Sequence, residues 1–136
     1  MTVLLKRAYA PPAAEDGMRV LVDRLWPRGL SKDEARIDIL MKDIAPSSAL
    51  RRWFNHDPAK WQVFQQKYIK ELQDSAALDE LRRLARRCRI TLLFAARDEQ
   101  HNNAVVLHSL LKTKTMRAPV TIEPPPRSGR RKTLPR

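Results

Sequence analysis

The stretch Cys88–Ala96, CRITLLFAA, is an almost unbroken apolar run of strand length. A continuous apolar run is typical of a strand that is covered on both faces in a parallel sheet. The segments on either side, Ser75–Arg87 and Glu99–Lys112, carry apolar residues at helical spacing. The order helix, strand, helix predicts a single three-layer α/β domain, with a mainly parallel, open, Rossmann-like sheet and helices on both faces.

Two further strands are predicted near the N-terminus. Thr2–Ala8 and Met18–Arg24 are rich in Leu and Val, and a loop with two prolines and Gly17 separates them. The segment Ile37–Ile44, IDILMKDI, fits either a short strand or one helical turn, and the sequence leaves both alternatives open.

Polar residues that favour helix N-termini mark the predicted helices. Ser47 precedes SALRRWF, Asp57 and Pro58 precede a second helix, and Asp98 is predicted to cap the helix Glu99–Lys112. The helix after Pro58 carries an apolar stripe on one face, formed by Trp61, Phe64, Tyr68 and Leu72.

The composition of the 136-residue chain predicts one domain in residues 1–112. A single cysteine, Cys88, excludes an internal disulfide. The chain has neither a signal-peptide pattern nor an apolar run of membrane-spanning length, so the expected location is the cytoplasm, with no membrane contact. The oligomeric state is left open.

The net charge of +12 is concentrated at the C-terminus, where Lys112–Arg136 contains eight Lys or Arg and one acid. Residues 113–136 form a basic, Pro-rich tail that is expected to be extended or disordered. Such a tail either solubilises the chain or binds the phosphates of a nucleic acid.

Charged and aromatic residues follow two of the predicted strands. In open α/β sheets, ligands bind beyond the carboxyl ends of the strands, so neighbouring strands would bring these residues to one rim. After Met18–Arg24, and at its end, they are Asp23, Arg24, Trp26 and Arg28; after Cys88–Ala96 they are Arg97, Asp98, His101, Asn102 and Asn103.

This rim predicts a site for an anionic small molecule such as a phosphate. His101 is the candidate general acid or base, because histidine titrates near neutral pH, and Asp23 is the second catalytic candidate, which orients Arg24. The predicted ligand contacts are Arg24, Trp26, Arg28, Arg97, Asp98, Asn102 and Asn103. The alternative for the charged residues is an ion-pair network that ties the two loops together.

Two classes of function fit these residues. The first is an enzyme or small-ligand-binding protein that uses the anion site. The second is a nucleic-acid-binding or interaction module, in which the tail and the arginines of Ser75–Arg87 hold phosphates and Trp26 or Trp53 stacks on bases. The sequence contains no dinucleotide or Walker motif, and His101 and His108 are too far apart for one ion, so no cofactor or metal is predicted.

Three separated motifs resemble a known bacterial family. They are VDRLWPRG, IAPSSALRRWFNHDP and LLFAARDEQHNNAVVL, in the order found in the short, YeaO-like branch of the domain of unknown function 488. The resemblance covers about residues 3–112 and implies no assigned reaction. HNN (residues 101–103) stands where the longer branch has a Cys-His-Arg triplet, and Leu40 where the short branch usually has Trp.

Overall fold

The computed structural model describes residues 2–112, and its central sheet has four strands. The strands are β1 (Val3–Arg7), β2 (Met18–Leu21), β3 (Ile39–Leu40) and β4 (Ile90–Phe94), in the order β1-β4-β2-β3. Each neighbouring pair is parallel. The predicted α/β class with a parallel sheet is confirmed.

Strand β4 lies between β1 and β2, and all five of its residues are buried. Its central Leu92 is paired with Leu5 of β1 and with Val20 of β2. Because side chains alternate along a strand, Leu92 and Leu93 contribute to the cores on opposite faces of the sheet. This double burial is the reason for the continuous apolar run.

Five helices accompany the sheet. They are α1 (Lys32–Ala35), α2 (Ser48–Phe54), α3 (Trp61–Leu72), α4 (Ala76–Arg87) and α5 (Asn103–Lys112). The apolar faces of α2 to α5 form the main core with β2 and β4. Tyr68 of α3 is fully buried there, and its hydroxyl donates to the carbonyl oxygen of Ile44 at 2.6 Å. None of the described helices is long and apolar enough to cross a membrane.

The opposite face of the sheet carries a buried ion pair. Asp16 accepts hydrogen bonds from Lys6 Nζ at 3.0 Å and from Arg19 Nη1 at 2.7 Å. Burial favours the neutral acid, but the hydrogen bonds from Ala13, Lys6 and Arg19 outweigh it and hold the pKa of Asp16 below its ordinary value. Arg19 Nε also donates to the carbonyl oxygen of Ala35, so this pair ties α1 to the sheet.

Gly17 is required where β2 begins. Its φ is +64°, and a Cβ atom at this position would overlap the backbone carbonyl of Arg89. That carbonyl accepts the N–H of Met18 at 3.0 Å, so the close approach is part of the junction between β2 and β4. Only a residue without a side chain fits both the conformation and the space.

Two element predictions are corrected by the fold. Strand β2 ends at Leu21 rather than Arg24; Val22 still donates its N–H to Leu93, and the chain then leaves the sheet. The ambiguous segment Ile37–Ile44 contains both alternatives, since β3 is followed by a 3₁₀ turn over Lys42–Ile44.

The start of α5 also differs from the prediction. The helix begins at Asn103, and the side-chain oxygen of Asn102 accepts the N–H of Val105 at 3.1 Å. Asn102 is therefore the capping residue. Asp98 instead accepts the N–H groups of Gln100 and His101 in the turn before the helix. The predicted tail, residues 113–136, lies outside the described residues.

Candidate functional site

A cleft of about 680 Å³ opens at the carboxyl ends of the strands. The loops that follow β1, β2 and β4 form one part of its wall, and the C-terminal half of α2 with the turn after it forms the other. The cleft is of the size that small-molecule sites usually have. Its position is the one that the sequence predicted for a ligand site.

Most of the predicted site residues meet in this cleft. Asp23, Arg24, Trp26, Arg28, His101, Asn102 and Asn103 line it. Arg97 and Asp98 do not line it, and Arg97 is exposed to solvent. The predicted pairing of Arg24 with Arg97 around one ligand is therefore not what the fold produces.

Asp23 lies at the junction between β2, β4 and α5. Its Oδ2 accepts the backbone N–H of Ala95 at 2.8 Å, and the side chain of Asn103 is a second partner. Burial raises the pKa of Asp23 above its ordinary value of 3.8, although these two hydrogen bonds and the charge of Arg51 act in the opposite direction. The expected bond from Asp23 to Arg24 is not among the contacts of either residue.

Arg24 is a partly buried guanidinium with few partners. Nη2 donates to the carbonyl oxygen of Pro46 at 3.4 Å, and Nε is buried with no acceptor within the described residues. Within residues 2–112, Asp16 forms ion pairs with Lys6 and Arg19, and Asp98 forms one with His101. The predicted ion-pair network between the two rim loops is therefore not formed within residues 2–112. The buried ion pairs of Asp16 lie on the opposite face of the sheet.

Two further arginines line the cleft from α2. Arg51 and Arg52 are exposed, and neither has an ion pair within residues 2–112. Glu71 of α3 holds the start of α2, because its carboxylate accepts the N–H of Ser47 at 3.0 Å and the hydroxyl of the same residue at 2.6 Å. Neither arginine was among the predicted site residues, although the segment is one of the three motifs of the resemblance and its Trp53 was considered for base stacking.

The turn after α2 has an unusual backbone. Asn55 and His56 have φ values of 46° and 55°, the left-handed region that side chains other than glycine seldom adopt. Both residues line the cleft. Consecutive residues in this region store strain, which concentrates at functional sites. His56 also means that His101 is not the only histidine at the site.

His101 is held by two neighbours. Its Nδ1 lies 2.9 Å from Asp98 Oδ2, and its ring meets Trp61 edge-on with the centroids 5.2 Å apart. The N–H of Gln100 and the contact with His101 lower the pKa of Asp98. Asp98 therefore acts on the site through His101, by fixing the orientation of the imidazole.

The two amides that were predicted to bind ligand are engaged within the chain. Besides capping α5, Asn102 donates from Nδ2 to the carbonyl oxygen of Asp98 at 2.9 Å. Asn103 donates to the carbonyl oxygen of Val22 at 2.9 Å. These hydrogen bonds join α5 to the turn before it and to β2. They satisfy the side-chain amides of both residues without a ligand. Among residues 2–112, no group of three or more His, Cys, Asp or Glu is placed to hold a metal ion.

Comparison with known proteins agrees with the motifs. The family model described as the inactive DUF488-N3 subclade matches residues 2–127. The chain belongs to the DUF488 family. An uncharacterized protein of Mycobacterium tuberculosis H37Rv is 46% identical over 109 residues, covering 80% of this chain and 92% of that protein. Uncharacterized protein YeaO of Escherichia coli K12 is 37% identical over 114 residues, covering 83% and 99% of the two chains.

This DUF488 chain therefore has the YeaO-like relatives that its motifs indicated. The family match extends to Arg127, fifteen residues beyond the end of α5 at Lys112. No solved structure gives a significant match to the chain.

Proposed function

We propose that the protein binds an anionic small molecule, phosphate-like in chemistry, in the cleft at the ends of the strands. The observation that supports this is a set of guanidinium groups that line one cleft and form no ion pair within residues 2–112: Arg24, Arg28, Arg51 and Arg52. The carboxylate that faces them, Asp23, has a raised pKa and so a weakened preference for the charged form. A cavity that is lined by four guanidinium groups and one carboxylate with a raised pKa attracts negative charge.

Arg24 is the central contact in this proposal. Its buried Nε is an orphaned donor, and buried donors in folded proteins almost always have a partner. A phosphate can accept two parallel bonds from one guanidinium, which a lysine cannot supply. The same side chain lines the cleft, so an anion there would supply an acceptor to a guanidinium whose hydrogen bond within residues 2–112 is the long one to Pro46.

We favour binding without chemical turnover. The description of the matching subclade as inactive supports this choice. Backbone N–H groups near the cleft also have acceptors within the chain, because Ala95 donates to Asp23, and Gln100 and His101 donate to Asp98. The catalytic roles of His101 and Asp23 remain predictions, with His101 held by Asp98 as a general acid or base would be.

The experiment is a titration with inorganic phosphate, followed by thermal denaturation and calorimetry. The cleft variant Arg51→Gln/Arg52→Gln is compared with Arg83→Gln/Arg87→Gln, which removes the same charge from exposed positions of α4. We expect phosphate to stabilise the wild type and the α4 variant, and to stabilise the cleft variant at least about 10-fold more weakly. Equal responses of the two double variants would contradict a site in the cleft.

Arg24→Lys tests the geometry of the same site. It keeps the charge but removes the planar fork, so we expect the melting temperature without phosphate to stay near that of the wild type while phosphate affinity falls. If Arg24 only stabilises the fold through Pro46, the variant will instead lose stability to the same extent with and without phosphate.

A second candidate is supported by the surface of α4. Arg83, Arg86 and Arg87 are exposed on this helix and form a basic face that a nucleic acid backbone could contact. This face has no exposed aromatic side chain on α4, so we rank it below the cleft.

A further inference from the structure

The cleft has an aromatic wall beside its arginines. Tyr9 and Trp26 both line it and expose 40% and 38% of their surface. Large exposed aromatic side chains that line the same cavity are informative, because they are the groups that folding usually covers. Leu25, with 66% of its surface exposed, extends the same wall.

Internal contacts fix the position of Tyr9. Its hydroxyl donates to the carbonyl oxygen of Arg28 at 2.8 Å, and the guanidinium of Arg7 lies 4.8 Å from the ring centroid. Arg7 is itself anchored, since its Nε and Nη2 donate to the carbonyl oxygens of Ala96 and Ala95. The ring is therefore held in place before any ligand arrives.

Trp26 is held in a similar way. Its ring nitrogen donates to the carbonyl oxygen of Leu30 at 2.6 Å. The polar atoms of both rings are thus used inside the protein, and what they expose is carbon. A rigid aromatic surface without a free polar group recognises a flat, apolar partner by stacking, at a low cost in conformational entropy.

We propose that the ligand of the cleft is a nucleoside monophosphate, with its base against the wall of Tyr9 and Trp26 and its phosphate at the arginines. This inference rests on the proposed anion site and names the class of its ligand. The two halves of the cleft meet at residues 24–28, where Arg24 and Arg28 flank Leu25 and Trp26. A volume of about 680 Å³ suits a single nucleotide rather than a strand.

The test compares adenosine 5′-monophosphate, ribose 5-phosphate and inorganic phosphate by calorimetry on the full chain. We expect the nucleotide to bind at least about 5-fold more tightly than ribose 5-phosphate, as base stacking on aromatic side chains would produce. Equal affinities for these two would overturn the inference and leave the anion site standing. If none of the three binds, the proposed function itself fails.

Matched variants test whether the aromatic wall is the source of the preference for the nucleotide over ribose 5-phosphate. Trp26→Phe and Trp26→Leu both lose the hydrogen bond to Leu30, but only Trp26→Phe keeps a flat ring. We expect Trp26→Leu to lose the nucleotide preference and Trp26→Phe to keep most of it, with phosphate affinity the same in both. Trp53→Leu, outside the cleft, is the control.

Two results would contradict the assignment. One is an equal loss of the preference in both Trp26 variants, which would show that the ring itself does not contact the base. The other is at least about 10-fold tighter binding of an oligoadenylate strand than of the mononucleotide, which would show a nucleic acid surface instead.

Discussion

Asp23 shows how the role of a single residue depends on its surroundings. The residue follows directly on Val22, which extends the pairing of β2, and its side chain accepts the N–H of Ala95 at the end of β4. Asn103 and Arg51 are its other partners. Asp23 thus connects the sheet to α5 and α2, the elements that form the cleft. Burial nevertheless makes its charged form unfavourable in the folded protein.

Asp23→Asn should stabilise the protein at neutral pH. The folded pKa of Asp23 is raised, so the unfolded chain ionises first, and folding stability falls as the pH rises from 3.8 through the folded pKa. Asn cannot ionise, so the substitution removes this loss of stability. Its side-chain oxygen can still accept the N–H of Ala95. Urea denaturation at about pH 7 and about pH 4 should show a gain that shrinks at the lower pH.

Exposed Asp74→Asn is the control for that comparison, because it changes the net charge by the same amount away from the cleft. A lower stability of Asp23→Asn at about pH 7 would mean that the charge of Arg51 and the hydrogen bonds outweigh the cost of burial.

At the level of elements, the positions of α2 and α5 determine which side chains line the cleft. Glu71 fastens α2 to α3 through Ser47, and this brings Arg51 and Arg52 to the cleft. Asn102 starts α5 and Asn103 ties it to β2. The residues that build the cleft are thus partly different from those that we expect to contact a ligand.

Asn102→Ala should destabilise the protein by about 1–2 kcal/mol, because the cap of α5 is lost. Asn102→Asp should retain most of the stability, since a carboxylate still accepts the N–H of Val105 and is favoured at a helix start. Urea denaturation measures both, with exposed Gln100→Ala as the control. Weaker phosphate binding by Asn102→Ala without any loss of stability would restore the ligand role that the sequence predicted.

The molecule as a whole distributes its charge unevenly. The arginines of the cleft and of α4 belong to the described domain, whereas five basic residues and one acid lie in Glu123–Arg136, outside the described residues. A contribution of the tail to nucleic acid binding would therefore come from outside the domain that holds the proposed anion site, and a truncation separates the two.

Deletion of Glu123–Arg136 should leave phosphate binding unchanged and weaken any binding to single-stranded DNA. Contacts to a phosphate backbone release counterions, so the DNA affinity of the full chain should also fall steeply with salt. Fluorescence anisotropy at low and moderate salt measures this. Salt-resistant DNA binding by the truncated chain would favour a nucleic acid surface on the domain.

The sequence by itself determined the α/β class and the burial of β4 on both faces, and it indicated the carboxyl ends of the strands as the place for a cleft. The apolar run Ile90–Phe94 reports burial on both faces, and Ser47 and Ser75 mark helix starts through bonds to amides three residues away. These signals are local, and the rule that ligands bind at the carboxyl ends of parallel strands then located the site.

Only the tertiary structure decided which side chains share the cleft. Arg51 and Arg52 line it because α2 packs against α3, whereas Arg97, in the loop after β4, is exposed and does not line it. Asp23 finds Ala95, which is 72 residues away in sequence, rather than its neighbour Arg24. The physical reason is that a cap or a buried strand depends on a few adjacent residues, whereas the partner of a charged side chain depends on how distant elements pack.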